Sequence, residues 1–131
     1  MMLKSKHLIG LEDFPISDLN KIIDTSFKFK QILDSPGRKI NLLKGKTLVN
    51  MFFENSTRTK ISFALAEKRL GADSINFSAT GSSVKKGETL KDTVQNIESM
   101  QIDGAIIRHS HPGAALKLTE YIDGSVINAG D

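Results

Sequence analysis

Ser56, Thr57 and Thr59 supply three hydroxyls around a single guanidinium, Arg58, within the run Phe52-Phe53-Glu54-Asn55-Ser56-Thr57-Arg58-Thr59. A strand-like run, Leu48 to Phe53, leads into this cluster, and a helical pattern begins at about Thr57. Free backbone N–H groups and the positive end of the helix dipole would therefore gather where the hydroxyls and the arginine lie. That combination suits capture of a phosphate-like dianion. The glycine-rich loop with lysine that cradles nucleotide phosphates is not the pattern here, so a small phosphorylated metabolite fits better than a nucleotide. The same residues also read as plain helix capping by Ser56 or Thr57, with Arg58 a solvated first-turn residue.

Two further constellations carry polar chemistry. Ser82-Ser83-Val84-Lys85-Lys86-Gly87-Glu88-Thr89-Leu90 places hydroxyls and lysines on a loop entering a helix. Arg108-His109-Ser110-His111-Pro112-Gly113 places cationic and neutral donors after a strand. His109 and His111 alternate as metal ligands sometimes do, but no third ligand accompanies them, so loop or supporting roles are expected and no metal. His7 is expected to be structural. Without other information Lys85 and Lys86 would be ordinary helix-flanking charges. Glu88 and Asp92 would complement the dipole of the helix they begin.

These residues need elements to position them. Leu19, Ile22, Ile23 and Phe27 recur at helical spacing, which predicts a first helix over about residues 17–34, capped by Ser17 and stopped at Pro36-Gly37. Strands are expected at Thr47 to Phe53, Ser74 to Phe77, Gly104 to Ile107 and Ser125 to Ile127. Helices are expected from Thr57 to Leu70, from about Thr89, and from Pro112-Gly113 to about Tyr121. Ile61 and Leu65 are expected in the core, with Glu67 and Lys68 on the surface. Residues 78–83 form a polar loop of small residues, the best candidate for mobility. The rhythm is that of right-handed βαβ units: an α/β, three-layer αβα domain with a four-stranded parallel sheet and helices on both faces. Ligands of such sheets sit beyond the carboxyl ends of the strands, where Ser56 to Thr59 and Arg108-His109 both fall.

Composition narrows the class. A chain of 131 residues is one domain, long enough to bury a core unaided. The absence of cysteine excludes disulfides, thiolate metal sites and cysteine nucleophiles, and suits a reducing cytosol. No apolar segment of signal-peptide or membrane-span length follows Lys4 and Lys6, so a cytoplasmic protein without membrane contact is expected. The net charge of +3, from 18 basic and 15 acidic residues, could steer anions. Its dispersed lysines are not a nucleic-acid footprint, and Lys28-Phe29-Lys30 reads as a solvated helix face.

Taken together, the three constellations resemble the aspartate/ornithine carbamoyltransferases, over a stretch running from His7-Leu8-Ile9-Gly10-Leu11-Glu12 to Asn128-Ala129-Gly130-Asp131. Ser56-Thr57-Arg58-Thr59 after Phe-Phe-Glu is similar to the carbamoyl-phosphate signature of the whole superfamily. Ser82-Ser83 with Lys86-Gly87-Glu88-Thr89-Leu90, Asp92-Thr93 and Arg108-His109 is similar to the aspartate branch rather than the ornithine branch.

The resemblance implies carbamoyl transfer from carbamoyl phosphate to L-aspartate, a step of pyrimidine biosynthesis that needs no cofactor. It implies that Ser56, Thr57, Arg58 and Thr59 bind the phosphate, and that Thr59 and Arg108 donate to the carbonyl oxygen. Ser82 and Lys86 would reach into a neighbouring subunit of a homotrimer, and Glu54 would help hold a closed two-domain form. Arg58, Thr59, Arg108 and Lys86 are the implied catalytic set. The family's catalytic chain is more than twice this length, so residues 1–131 are expected to be the carbamoyl-phosphate domain alone, without the aspartate-binding domain. Weak or absent activity in isolation, a non-catalytic binding module, another amine acceptor such as ornithine, and a regulatory subunit as partner all remain open at this level.

Overall fold

A computed structural model of the chain describes residues 2–36, 39–78 and 90–130. Four helices and four strands alternate within them, beginning with a helix: α1 (Ile16–Leu33), β1 (Thr47–Phe52), α2 (Thr57–Arg69), β2 (Asp73–Ser78), α3 (Leu90–Glu98), β3 (Gly104–Arg108), α4 (Ala114–Leu118) and β4 (Ser125–Asn128). The strands form one wholly parallel sheet in the order β2-β1-β3-β4. The chain therefore steps from β1 outward to β2, then crosses back over β1 to β3 and onward to β4. Right-handed crossovers in opposite directions put their helices on opposite faces.

The side chains follow that rule. Val49, Met51, Ala105, Ile107 and Val126 alternate onto one face, where they pack with Val94 of α3, Ala114, Ala115 and Leu118 of α4, and Ile102 and Ile122. On the other face α2 lies against β1 and β2. There the buried Glu67 accepts from Asn50 Nδ2 at 2.9 Å and from Ser74 Oγ at 2.7 Å. The fold is thus the expected α/β domain with a four-stranded parallel sheet.

The N-terminal segment extends the sheet beside β4. Leu8 forms a parallel bridge with Ile127, and His7 Nδ1 accepts from the Val126 N–H at 3.0 Å, which gives His7 its structural role. Farther back, Asp18 at the start of α1 is wholly buried and accepts from the backbone N–H groups of Lys4 and Ser5. These bonds hold its carboxyl below the usual carboxylate range.

Several boundaries and burials differ from expectation. α1 begins one residue before Ser17, with Pro15 in the cap position at a non-helical ψ of 132° and no side-chain cap. α2 stops at Arg69, and Leu70 caps it before Gly71, whose φ of +87° lets the chain reverse. α4 is only Ala114–Leu118; Thr119 turns its hydroxyl back onto the Leu116 carbonyl and the chain leaves in tight turns to Ile122. Ile61 and Leu65 are exposed, at 59% and 43%, whereas Glu67 is only 4% exposed. The three cannot share a face: Glu67 sits about 240° round the helix from Ile61 and about 200° from Leu65. The start of α3 at Thr89, the loop after Ser78 and Gly37 lie outside the described residues.

Leu118 is fully buried and Ile61 is not, so the two substitutions should separate cleanly. Leu118→Ala is expected to cost about 2–5 kcal/mol, and Ile61→Ala no more than about 0.5 kcal/mol, in urea denaturation of the two variants.

Candidate anion site at the carboxyl end of the sheet

β1 and β3 run side by side, with Phe52 the register partner of Arg108. Between these two strands the crossovers diverge, and α/β sheets open a crevice at such a point. The Phe53 N–H donates to the Arg108 carbonyl at 2.8 Å, so the chain leaving β1 is still tied to β3 as it turns toward α2.

Ser56 takes the N-cap position of α2 in an extended conformation (φ −144°, ψ 65°), and its side chain makes no capping hydrogen bond. Nor does the first turn contain an acidic residue. The first intrahelical bond runs from the Lys60 N–H to the Ser56 carbonyl, at 2.9 Å. The amides ahead of it, Thr57 to Thr59, thus start the helix with no side-chain cap and no local counter-charge. A cavity of about 300 Å³ opens here, lined by Phe52, Glu54, Asn55, Ser56, Thr57, Lys60 and Ile61. Of the competing capping reading, the side-chain cap is absent, since Ser56 sits at the cap position without a side-chain bond and Thr57 is already helical. Arg58 is exposed on the first turn, as that reading expected.

Arg108 is held on three sides. Its Nε donates to Glu54 Oε1 at 3.2 Å, its Nη1 donates to the Ala129 carbonyl at 3.0 Å, and its guanidinium lies over Gly130. A Cβ on Gly130 would come within 2.8 Å of Nη1, and that glycine's φ of +137° disfavours other residues independently. The segment beneath Arg108 is fixed in turn: Asn128 Oδ1 accepts from the Gly130 N–H, and the Ala129 N–H donates to the Ile107 carbonyl. Both side chains of the Arg108–Glu54 pair are about one-third exposed, at 33% and 39%. Such a pair is worth only up to about 1 kcal/mol.

His109 packs on Phe53, with ring centres 4.9 Å apart, and on His111 at 5.2 Å. Its Nδ1 accepts from the His111 N–H at 3.0 Å, so the neutral ring carries its hydrogen on Nε2. Burial, with His111 nearby, pushes the His109 imidazole below the ordinary histidine value against the opposing pull of Glu54. The shift favours the neutral ring, packed between Phe53 and His111. Among the described residues no group of three His, Asp or Glu side chains is placed to hold a metal.

The structure therefore gathers Ser56, Thr57, Glu54 and, through Glu54, Arg108. Arg58 is exposed on the first turn of α2 and Thr59 is half-buried, and neither lines the cavity. Ser82 and Lys86 lie outside the described residues. Asn55 and Lys60, which do line the cavity, and Ala129 and Gly130, which seat Arg108, had no role assigned from sequence. Lys60 stands within the signature's own turn and was legible there; a backbone carbonyl acting on a residue 21 positions earlier leaves no side-chain signal.

Comparison with known proteins bears on the same residues. Residues 6–131 match the family model described as the carbamoyl-P binding domain of aspartate/ornithine carbamoyltransferase. The chain belongs to this family. It is 53% identical over 125 residues to the aspartate carbamoyltransferase catalytic subunit of Christiangramia forsetii, covering 95% of this chain and 40% of that one. The M. jannaschii aspartate transcarbamoylase catalytic subunit superposes with a TM-score of 0.87 at 40% identity, over 97% of this chain and 41% of its own. The Trypanosoma cruzi aspartate transcarbamoylase in complex with carbamoyl phosphate and aspartate gives 0.87 at 34% identity, over 98% and 42%. The chain thus spans about two-fifths of the length of the relatives it matches, and it is homologous to their carbamoyl-P binding domain.

Two imidazoles set a pH dependence. His7, lowered by burial and then by Lys6, and His109 both accept a backbone N–H at Nδ1, so protonation removes a bond that folding formed. With folded values below the ordinary 6.5, their contribution is complete above that pH and is lost as pH falls through the folded values. Asp18, shifted down from 3.8, keeps its contribution throughout that window. Urea denaturation should show stability falling from pH 7.5 toward 5.5, and a flatter profile in the His7→Gln/His109→Gln double variant.

Proposed function

We propose that the chain is the carbamoyl-phosphate half of an aspartate carbamoyltransferase. One observation carries the reading. An uncapped helix N-terminus bearing Ser56-Thr57-Arg58-Thr59 opens at the divergence of the crossovers, beside Arg108, in a chain homologous to carbamoyl-P binding domains. The phosphate is received by the Ser56 and Thr57 hydroxyls, the first-turn amides and the Arg58 side chain. Thr59 and Arg108 donate to the carbonyl oxygen, for which Arg108 exchanges Glu54 for substrate. A charge-assisted bond of about 1.5–3 kcal/mol outweighs a partly exposed ion pair, so the exchange is downhill.

The amine of L-aspartate then attacks the carbamoyl carbon. A carbon–nitrogen bond forms, the bond to the phosphate oxygen breaks, the proton lost by the amine passes to the departing phosphate, and N-carbamoyl-L-aspartate and phosphate leave. The work required is orientation of two reactants, donors on a developing oxyanion and cations on the leaving phosphate. Ser82 and Lys86 serve this site from the neighbouring subunit of a homotrimer, and Glu54, once free of Arg108, turns to the closed form. Aspartate is held by a second domain outside residues 1–131. The proposed setting is the cytoplasm; no helix of the described residues is long and apolar enough to cross a membrane. Because the chain spans about two-fifths of its relatives, a second reading is a module that binds carbamoyl phosphate without turnover.

Calorimetric titration of the chain with carbamoyl phosphate and with phosphate tests the site. Arg58→Ala is expected to weaken binding by about 1.5–3 kcal/mol, roughly 10- to 150-fold; unchanged affinity would remove Arg58 from the site. Carbamoylation of aspartate, measured with and without a C-terminal domain from a relative, separates the two readings. Turnover restored by the added domain supports the enzyme, and its absence in a complex that still binds carbamoyl phosphate supports the module.

A further inference from the structure

We infer that Glu67 is a positioning residue for the anion site: its buried carboxylate fixes the rotation and axial placement of α2, and with it the first-turn amides. The inference rests on the carbamoyl-phosphate reading of those amides.

α2 has an unusual hold on the sheet. α4 buries Ala114, Ala115 and Leu118 within five residues, but in the thirteen of α2 the buried residue is Glu67. Of its apolar side chains Ile61 and Leu65 face solvent, and Phe63 and Ala64 are half-buried. What gives this partial apolar contact a fixed direction is the carboxylate. Glu67 Oε1 accepts from Asn50 Nδ2 of β1 at 2.9 Å and from Ser74 Oγ of β2 at 2.7 Å. Asn50 Nδ2 also donates to Asn76 Oδ1 at 3.1 Å, so the two strands and the helix meet at one carboxylate.

Apolar contact is non-directional and tolerates sliding and rotation, whereas hydrogen bonds of this length constrain both. Glu67 lies ten residues beyond Thr57, about 15 Å along a stiff helix, so a small tilt at the anchor displaces the amides at the other end. Asn50 stands two residues before Phe52 on the strand that leads into the cavity. One hydrogen bond therefore joins both structural parents of the site, the strand that enters it and the helix that leaves it. No described donor reaches Glu67 Oε2 or Asn50 Oδ1, both buried. The anchor thus keeps a carboxylate where an aliphatic residue would leave Asn50 and Ser74 without their acceptor.

The test combines hydrogen exchange with calorimetry on the 131-residue chain. In Glu67→Ala, amides of α2 are expected to exchange at least about tenfold faster while those of β3 and β4 keep their protection. The dissociation constant for carbamoyl phosphate should rise by about tenfold. Glu67→Gln retains the acceptor for Asn50 and Ser74 and should bind within about twofold of the original chain. Ser74→Ala removes one donor and should give a smaller loss confined to α2; it decides the matter if Glu67→Ala does not fold. Unchanged α2 exchange with unchanged affinity overturns the inference, as does acceleration spread evenly over all four strands. Failure of the parent chain to bind either carbamoyl phosphate or phosphate would sink the proposed function instead. The exchange pattern would still decide whether Glu67 anchors α2.

Discussion

The parallel pairing of β1 with β3 is the constraint on which the site depends. It sets Phe52 beside Arg108 and ties Phe53 to the Arg108 carbonyl. The start of α2 and the one described guanidinium of β3 thereby come to the same crevice. Neither strand does this alone. β1 supplies a helix N-terminus with no internal counter-charge, and β3 supplies a cation whose place is set by the Ala129 carbonyl and the bare backbone of Gly130. The order β2-β1-β3-β4, with its crossovers diverging between the central strands, is what opens space between them.

The residues around Arg108 divide between fixed and exchangeable partners. Ala129 and Gly130 are backbone, held through Asn128 and by β4's pairing with the N-terminal segment. Glu54 is a side chain on a turn, more than one-third exposed, and its ion pair is weak enough to be replaced by a stronger anion. His109, kept neutral by burial and by the N–H it accepts, adds shape without adding charge. In the proposed function this is the useful division: an arginine that is pointed correctly but not committed.

Much of the architecture was legible in the sequence because apolar runs and turn residues mark strand and helix ends locally. The four strands begin at Thr47, Asp73, Gly104 and Ser125, as the rhythm of the chain indicated. The placement of Ser56-Thr57-Arg58-Thr59 and of Arg108 was legible too, since both follow or end strands that a parallel sheet must bring to one edge. The errors came where side-chain type and partner diverge. Glu67 reads as surface because it is charged and Ile61 as core because it is apolar, yet Asn50 and Ser74 offer donors that need a side-chain oxygen at that position. The Arg108–Glu54 pair joins residues 54 positions apart, and no local pattern announces it. Nor does a proline at a helix entrance announce that it will displace Ser17 from the cap.

The central claim is that an anion occupies the open end of α2. Titrating isotopically labelled chain with carbamoyl phosphate, and following each backbone amide by NMR, addresses it most directly. The account predicts saturable shifts concentrated at Ser56 to Lys60, with a smaller response at Arg108. Saturable shifts elsewhere on the surface, with the amides of Thr57, Arg58 and Thr59 unmoved, would contradict it.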